Sequence, residues 1–225
     1  MEEQLKGKLI YGFGDSLVYG HLLEIGMLDY IAEKYGMKYK KYAVNGASVI
    51  PGIAEKMNQD ITVDDIAEQI RKASETVPDY ICFDGLTNDA YPFVTERCFG
   101  KLTDHYEGSY DTGTFIGAFE NICFLLRKRY PESKIIYICP HRMGSRSLKV
   151  QDSLQFWARQ VCEKWSIPYA DIYRRGGINT CIPKMRYDFT YDVPEALFGG
   201  TGTHLTAEGY RIWYAPLIEQ VLKSI

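Results

Sequence analysis

Between Gly12 and Gly20 the chain reads GFGDSLVYG, directly after the apolar run KLIY, so Ser16 is set where a buried strand should end and a turn begin. A serine hydroxyl is a weak nucleophile until a base takes its proton, and the oxyanion formed on attack at a carbonyl needs preorganised donors. Residue types for each of those roles recur downstream. NGAS (45–48) offers a backbone amide at Gly46, GLTND (85–89) an amide side chain at Asn88, and GTGTHLTAEGY (200–210) an imidazole at His204. In this reading Ser16 attacks, His204 is the general base, and the amides of Ser16 and Gly46 converge with the Asn88 side chain on the oxyanion.

Other polar residues are weaker candidates. Asp15 reads as a turn-forming side chain that bonds nearby amides, and it is grouped with His141 and Arg142, in CPHRMG after an apolar run, as a candidate substrate contact. His21, five residues after Ser16, reads as a helix-face or loop residue, and His105 as a surface residue. Thr206 is a candidate N-cap that would fix His204 at a helix entrance.

These residues need a scaffold that brings them to one edge. Strand-like runs at 8–14, 38–44, 79–85, 134–140 and 167–173, several of them nearly continuously apolar, alternate with helix-length segments at 23–35, 63–76, 113–130, 148–165 and 206–223. In the third of these, Phe115, Phe119, Ile122 and Leu126 recur at helical spacing. Short apolar strands alternating with helices predict a parallel sheet covered on both faces. Ligands in such folds bind beyond the carboxyl ends of the strands, which is where Ser16, Gly46 and Asn88 would fall. Two long connections, 86–112 with its many aromatics and 174–205, are expected to form a lid or pocket wall.

The four blocks resemble those of the GDSL esterases, or SGNH hydrolases. Gly14 to Leu17 is the literal G-D-S-L, Gly46 the second-block glycine, Asn88-Asp89 the third-block pair and His204 the last-block histidine, in the family's order. The resemblance spans essentially the whole chain. It implies a flavodoxin-like three-layer α/β/α fold, a five-stranded parallel sheet in the order 2-1-3-4-5, and ester hydrolysis through an acyl-serine without metal or organic cofactor. Two positions depart from the pattern. Leu86 stands where the family usually has glycine, and Thr201 stands where the D-x-x-H block has its aspartate. Loss of the carboxylate that orients the histidine costs roughly 10⁴-fold in serine proteases. Three readings follow: a main-chain carbonyl orients His204, Asp192 substitutes as the acid, or the hydrolase is weakened or lost.

Composition narrows the partners. The 225 residues are 46% hydrophobic with a net charge of −3, which fits a single domain over 1–225 and gives no basic field for nucleic acid. The polar start MEEQLKGK and the lack of any membrane-length apolar run point to the cytoplasm and away from a membrane. Six cysteines without C-x-x-C or zinc spacing read as free thiols. A G-x-G-x-x-G dinucleotide fingerprint fails because Leu17 occupies its third glycine position. The expectation is a serine esterase for a short acyl or O-acetyl ester of a small molecule or carbohydrate. The alternatives are a thioesterase or lysophospholipase of the same fold, and a non-catalytic carbohydrate-binding protein suggested by Thr201.

Overall fold

The computed structural model describes residues 3–58 and 61–225, so the first two residues of the polar start lie outside it. Five strands, β1 (Leu9–Phe13), β2 (Lys38–Lys41), β3 (Tyr80–Phe83), β4 (Lys134–Cys139) and β5 (Tyr169–Asp171), form a parallel sheet in the order β2-β1-β3-β4-β5. This is the expected order. In register, Gly12 lies beside Cys82 and Phe13 beside Phe83, so β1 and β3 end together and deliver their loops to the same edge.

Residues alternate across the sheet with a period of two. Tyr11, Phe13, Ile81, Phe83, Ile135 and Tyr137 face one layer, which contains α4 (Ile66–Lys72), α5 (Phe115–Arg129) and α6 (Leu148–Lys164). Ile10, Tyr80, Cys82, Ile136 and Ile138 face the other, which contains α1 (Ser16–Tyr19), α2 (Asp29–Lys34) and the C-terminal α10 (Ala215–Lys223). The remaining short helices are α3 (Ile53–Met57), α7 (Ile172–Arg175), α8 (Pro183–Phe189) and α9 (Ala207–Gly209). Cys82 and Cys139 are buried within their strands, and the six cysteines are unpaired.

Two helices differ from the sequence expectation for identifiable reasons. The segment 23–35 is helical only in α2, because the backbone first turns tightly back on α1: Met27 N–H donates to Leu17 O, and a Cβ on Gly26 would lie 2.2 Å from Val18 O. The segment 206–223 starts with Thr206 as its cap and continues from α9 through a π turn over Tyr210–Tyr214 into α10. Pro216 sits in the first turn of α10, where its missing N–H is tolerated, and the wider turn before it absorbs the break.

The long 86–112 connection is tied down in the middle. Glu120 on α5 is fully buried and pairs with Lys164 at the end of α6, which also donates to Thr103 O (3.0 Å), Thr103 Oγ1 (2.8 Å) and His105 O (2.7 Å). The carboxylate accepts in addition from Thr103 N–H at 3.0 Å. Lys164→Met would strand a buried charge, so urea denaturation should show a loss of about 3–5 kcal/mol, and adding Glu120→Leu should recover most of it.

Candidate active site

The end of β1 is held from two sides. Gln69 on α4 accepts from Gly14 N–H and donates to Gly14 O, both at 2.9 Å, while Asp84, following β3, accepts from Asp15 N–H at 3.0 Å. A side chain at Gly14 cannot fit, since its Cβ would lie 1.7 Å from Asp84 Oδ1, and its φ of +144° disfavours other residues in any case. Asp15 then caps α1, accepting from Leu17 N–H at 2.8 Å. Ser16 follows as the first helical residue, 5% exposed, with its side chain at the carboxyl edge of the sheet.

The second and third blocks are fastened to each other by Asp89, whose buried carboxylate accepts from the amides of Val49 (2.9 Å), Ile50 (2.8 Å) and Leu86 (3.2 Å). Burial raises its pKa to about 6 despite those three donors. Asn88 Nδ2 donates one N–H to Ala47 O at 2.7 Å, which fixes its amide plane and leaves the second N–H. Among the described residues the N–H groups of Ser16 and Gly46 take no hydrogen-bond partner. Leu86 keeps the left-handed backbone that the family's glycine would supply, with φ +83°. That conformation costs a leucine roughly 1–2 kcal/mol, which burying the side chain in the core, worth about 1.5–3 kcal/mol, offsets.

His204 arrives from the other end of the chain. Its Nε2 lies 2.9 Å from Ser16 Oγ, and among the described residues this is the ring's one hydrogen bond. Burial, reinforced by His21, lowers its pKa to about 3, so the ring is neutral at neutral pH, and in its Nδ1–H tautomer Nε2 accepts from the serine hydroxyl. Its segment is fixed by Tyr191 N–H donating to His204 O (3.1 Å) and by Thr206 capping α9. Face to face with His204 lies His21, ring centroids 3.7 Å apart and planes within 6°.

The other expected contacts fall elsewhere. Asp15 is fully buried beneath the nucleophile turn and cannot reach a substrate. His141 is also fully buried and binds on both sides of its ring: Nε2–H donates to Gly202 O (3.0 Å), and Nδ1 accepts from Tyr214 Oη (2.7 Å). Burial lowers its pKa to about 4, so it is a neutral pin for the loop before His204 rather than a substrate contact. Arg142 turns away to Tyr173, 4.5 Å from its ring centroid, and to Asp152 at 3.3 Å. Asp192 spends its carboxylate on Thr201, accepting from the backbone N–H (3.0 and 2.9 Å) and from Oγ1 (3.0 Å). Its charge favours protonation of His204 without a hydrogen bond to the ring.

Three residues near the site escaped the sequence reading: His21, Asp84 and Arg146. The Arg146 guanidinium stacks over Tyr91 at 4.2 Å, its Nε donates to Thr87 O at 3.0 Å, and its charge is felt at both His204 and Asp15. Tyr91 thus brings the start of the aromatic connection to the site, whereas Phe99 and Tyr110 are buried in the core. A cavity of about 520 Å³ between that connection and α6, lined by Pro92, Val94, Phe99, Lys149 and Val150 among others, includes neither Ser16 nor His204. Among the described residues no group of three or more His, Cys, Asp and Glu side chains is placed to hold a metal, and no helix is long and apolar enough to cross a membrane.

Asp84 sets the electrostatics under the nucleophile. Burial and the neighbouring Asp15 push its pKa far above the carboxylate range, while Asp15 has the Leu17 amide and the Arg146 charge in its favour, so Asp84 is the member that holds a proton. A carboxyl with its pKa raised on folding contributes fully below the unfolded value, about 3.9, and loses that contribution as pH rises toward the folded value. Asp84→Asn, which imitates the protonated form, should therefore flatten the decline of melting temperature between pH 5 and 8, measured by differential scanning calorimetry.

No curated protein matches the sequence. Solved structures share the fold at low identity: a protein from Lactobacillus plantarum (18% identity, 97% of this chain and 98% of that one, TM-score 0.75) and the lipase/acylhydrolase from Enterococcus faecalis (18%, 96% of each, TM-score 0.57). Phospholipase A1 from Streptomyces albidoflavus is a further neighbour (13%, 96% of this chain and 99% of that one, TM-score 0.60). The model of the GDSL-like lipase/acylhydrolase family matches residues 10–217, nearly the full span from β1 to α10, and the chain belongs to that family.

Proposed function

We propose that the protein is a serine esterase that removes a short acyl or O-acetyl group from a small molecule or carbohydrate. The observation that carries this reading is the 2.9 Å contact between Ser16 Oγ and Nε2 of a neutral His204. Membership of an acylhydrolase family supports ester hydrolysis as the reaction class. As Ser16 Oγ bonds to the acyl carbon, its proton passes to His204 Nε2 and the carbonyl electrons move to oxygen, where the amides of Ser16 and Gly46 and the free N–H of Asn88 receive the charge. Collapse of that intermediate expels the alkoxide, which takes the proton from His204 and leaves as the alcohol. Water, deprotonated by the same nitrogen, then attacks the acyl-serine, and the returning proton restores Ser16 as the acid departs.

Arg146 and Tyr91 support a polar or anionic substituent on the substrate, since a guanidinium over an aromatic ring presents its edge to oxygen acceptors. Six unpaired cysteines support a reducing compartment such as the cytoplasm. A second reading is favoured by one observation: among the described residues no carboxylate bonds His204, and Asp192 is taken by Thr201. It is a binder of carbohydrate esters that no longer turns over.

Fluorophosphonate labelling separates the two. The wild type should label at Ser16 and hydrolyse p-nitrophenyl acetate faster than longer esters, and Ser16→Ala should do neither while keeping its melting temperature; a wild type inert to both supports the binder. In a pH profile, a base with its pKa lowered to about 3 is already unprotonated at mildly acidic pH. The acid limb of kcat/KM should accordingly lie below pH 5, where an ordinary histidine base would place it near 6.5.

A further inference from the structure

The His204 imidazole is held in its own plane at one point, Nε2 on Ser16 Oγ. A ring held at one point can pivot about it, and misplacement of a reacting group by about 1 Å costs on the order of 10²-fold in rate. The carboxylate that would pin the opposite edge is missing, since Thr201 occupies that position and engages Asp192.

The face of the ring is held instead. His21 lies flat against it at 3.7 Å, and Tyr191 flanks both rings, with centroids 5.8 Å from His21 and 6.4 Å from His204. The placement of His21 is built, not incidental. Its N–H donates to Ser16 O at 3.0 Å, so the turn that carries the nucleophile also carries the stacking ring. Its backbone has φ +50°, a left-handed conformation that survives only where neighbours over-determine it. Those neighbours are identifiable: the Tyr191 hydroxyl donates to Gly20 O (3.1 Å) and accepts from Leu23 N–H (3.4 Å), bracketing His21 on both sides. Through its own N–H the same tyrosine holds His204 O.

We propose that His21 is a positioning residue for His204, fixing the plane of the imidazole by face-to-face stacking where a carboxylate would fix its edge. The inference rests on the hydrolase reading above. Stacking leaves the proton path from Ser16 to Nε2 open. Asp192 favours the His204 imidazolium, whereas burial, His21 itself, Arg146 and His141 oppose it, so the help His21 gives is geometric rather than electrostatic. The flat ring is therefore the working part of His21, and another flat ring should replace it.

The experiment compares wild type, Ser16→Ala, His21→Asn and His21→Phe on p-nitrophenyl acetate, with kcat and KM resolved and melting temperatures recorded. Asparagine tolerates the left-handed backbone but removes the ring. Its kcat should fall about 10- to 100-fold with KM and melting temperature unchanged, and His21→Phe should recover most of the loss. If phenylalanine lowers the melting temperature, the asparagine variant decides alone. An unchanged kcat in His21→Asn overturns the proposal, as does an equal loss in two well-folded variants, which would assign His21 a backbone role. A wild type without Ser16-dependent turnover overturns the hydrolase reading, and this inference with it.

Discussion

Parallel strands that stop at one edge leave their terminal amides facing the same way, and a buried amide without a partner costs about as much as a lost hydrogen bond. Here those amides are taken by side chains. Gln69 takes Gly14, Asp84 takes Asp15, and Asp89 takes Val49, Ile50 and Leu86 at once. Except for Leu86, three residues before Asp89 in the same loop, each donor comes from a different stretch of chain than its acceptor. The same bonds that satisfy the strand ends therefore lock three loops into one rigid rim, and the reactive groups stand on that rim.

The rim holds little net charge for so many titratable groups. Asp84 keeps its proton, while His204 and His141 remain neutral, each because burial penalises its charged form. The same penalty opposes the imidazolium that forms when His204 takes the serine proton, so the developing charges need stabilisation as they appear. Preorganised dipoles then count for more than they would in water.

Much of this could be read in the sequence. The G-D-S-L turn, Gly46, Asn88 and His204 each follow an apolar run or precede a capping residue, so local pattern alone placed them at strand ends or helix entrances, and the sheet order followed from the resemblance. What could not be read depends on contacts between distant segments. His21 faces His204 across nearly the full chain, and its five-residue separation from Ser16 looks like any helix face until the turn at Gly20 reverses it. Asp84 lies in an apolar strand run with nothing to mark it as the partner of Asp15. His141 was misplaced because strand direction indicates the ligand side but not depth, and Tyr214 and Gly202 draw the ring inward. Helix 23–35 failed at Gly26, where close backbone approach overrides a permissive pattern.

The anchoring of His141 also links the site to the end of the chain. His141 stands two residues after β4, and its ring bonds Tyr214 just before α10 and Gly202 just before His204, so the loop bearing the imidazole is moored both to an inner strand and to the last helix. Terminal helices open as cooperative units at lower free energy than the sheets they cover. Opening of α10 takes away the Tyr214 bond, while the bonds from His141 and Thr180 to Gly202 O remain. The imidazole is thus suspended between two layers of the molecule, and the C-terminal helix, though it carries no reacting group, shares in holding it.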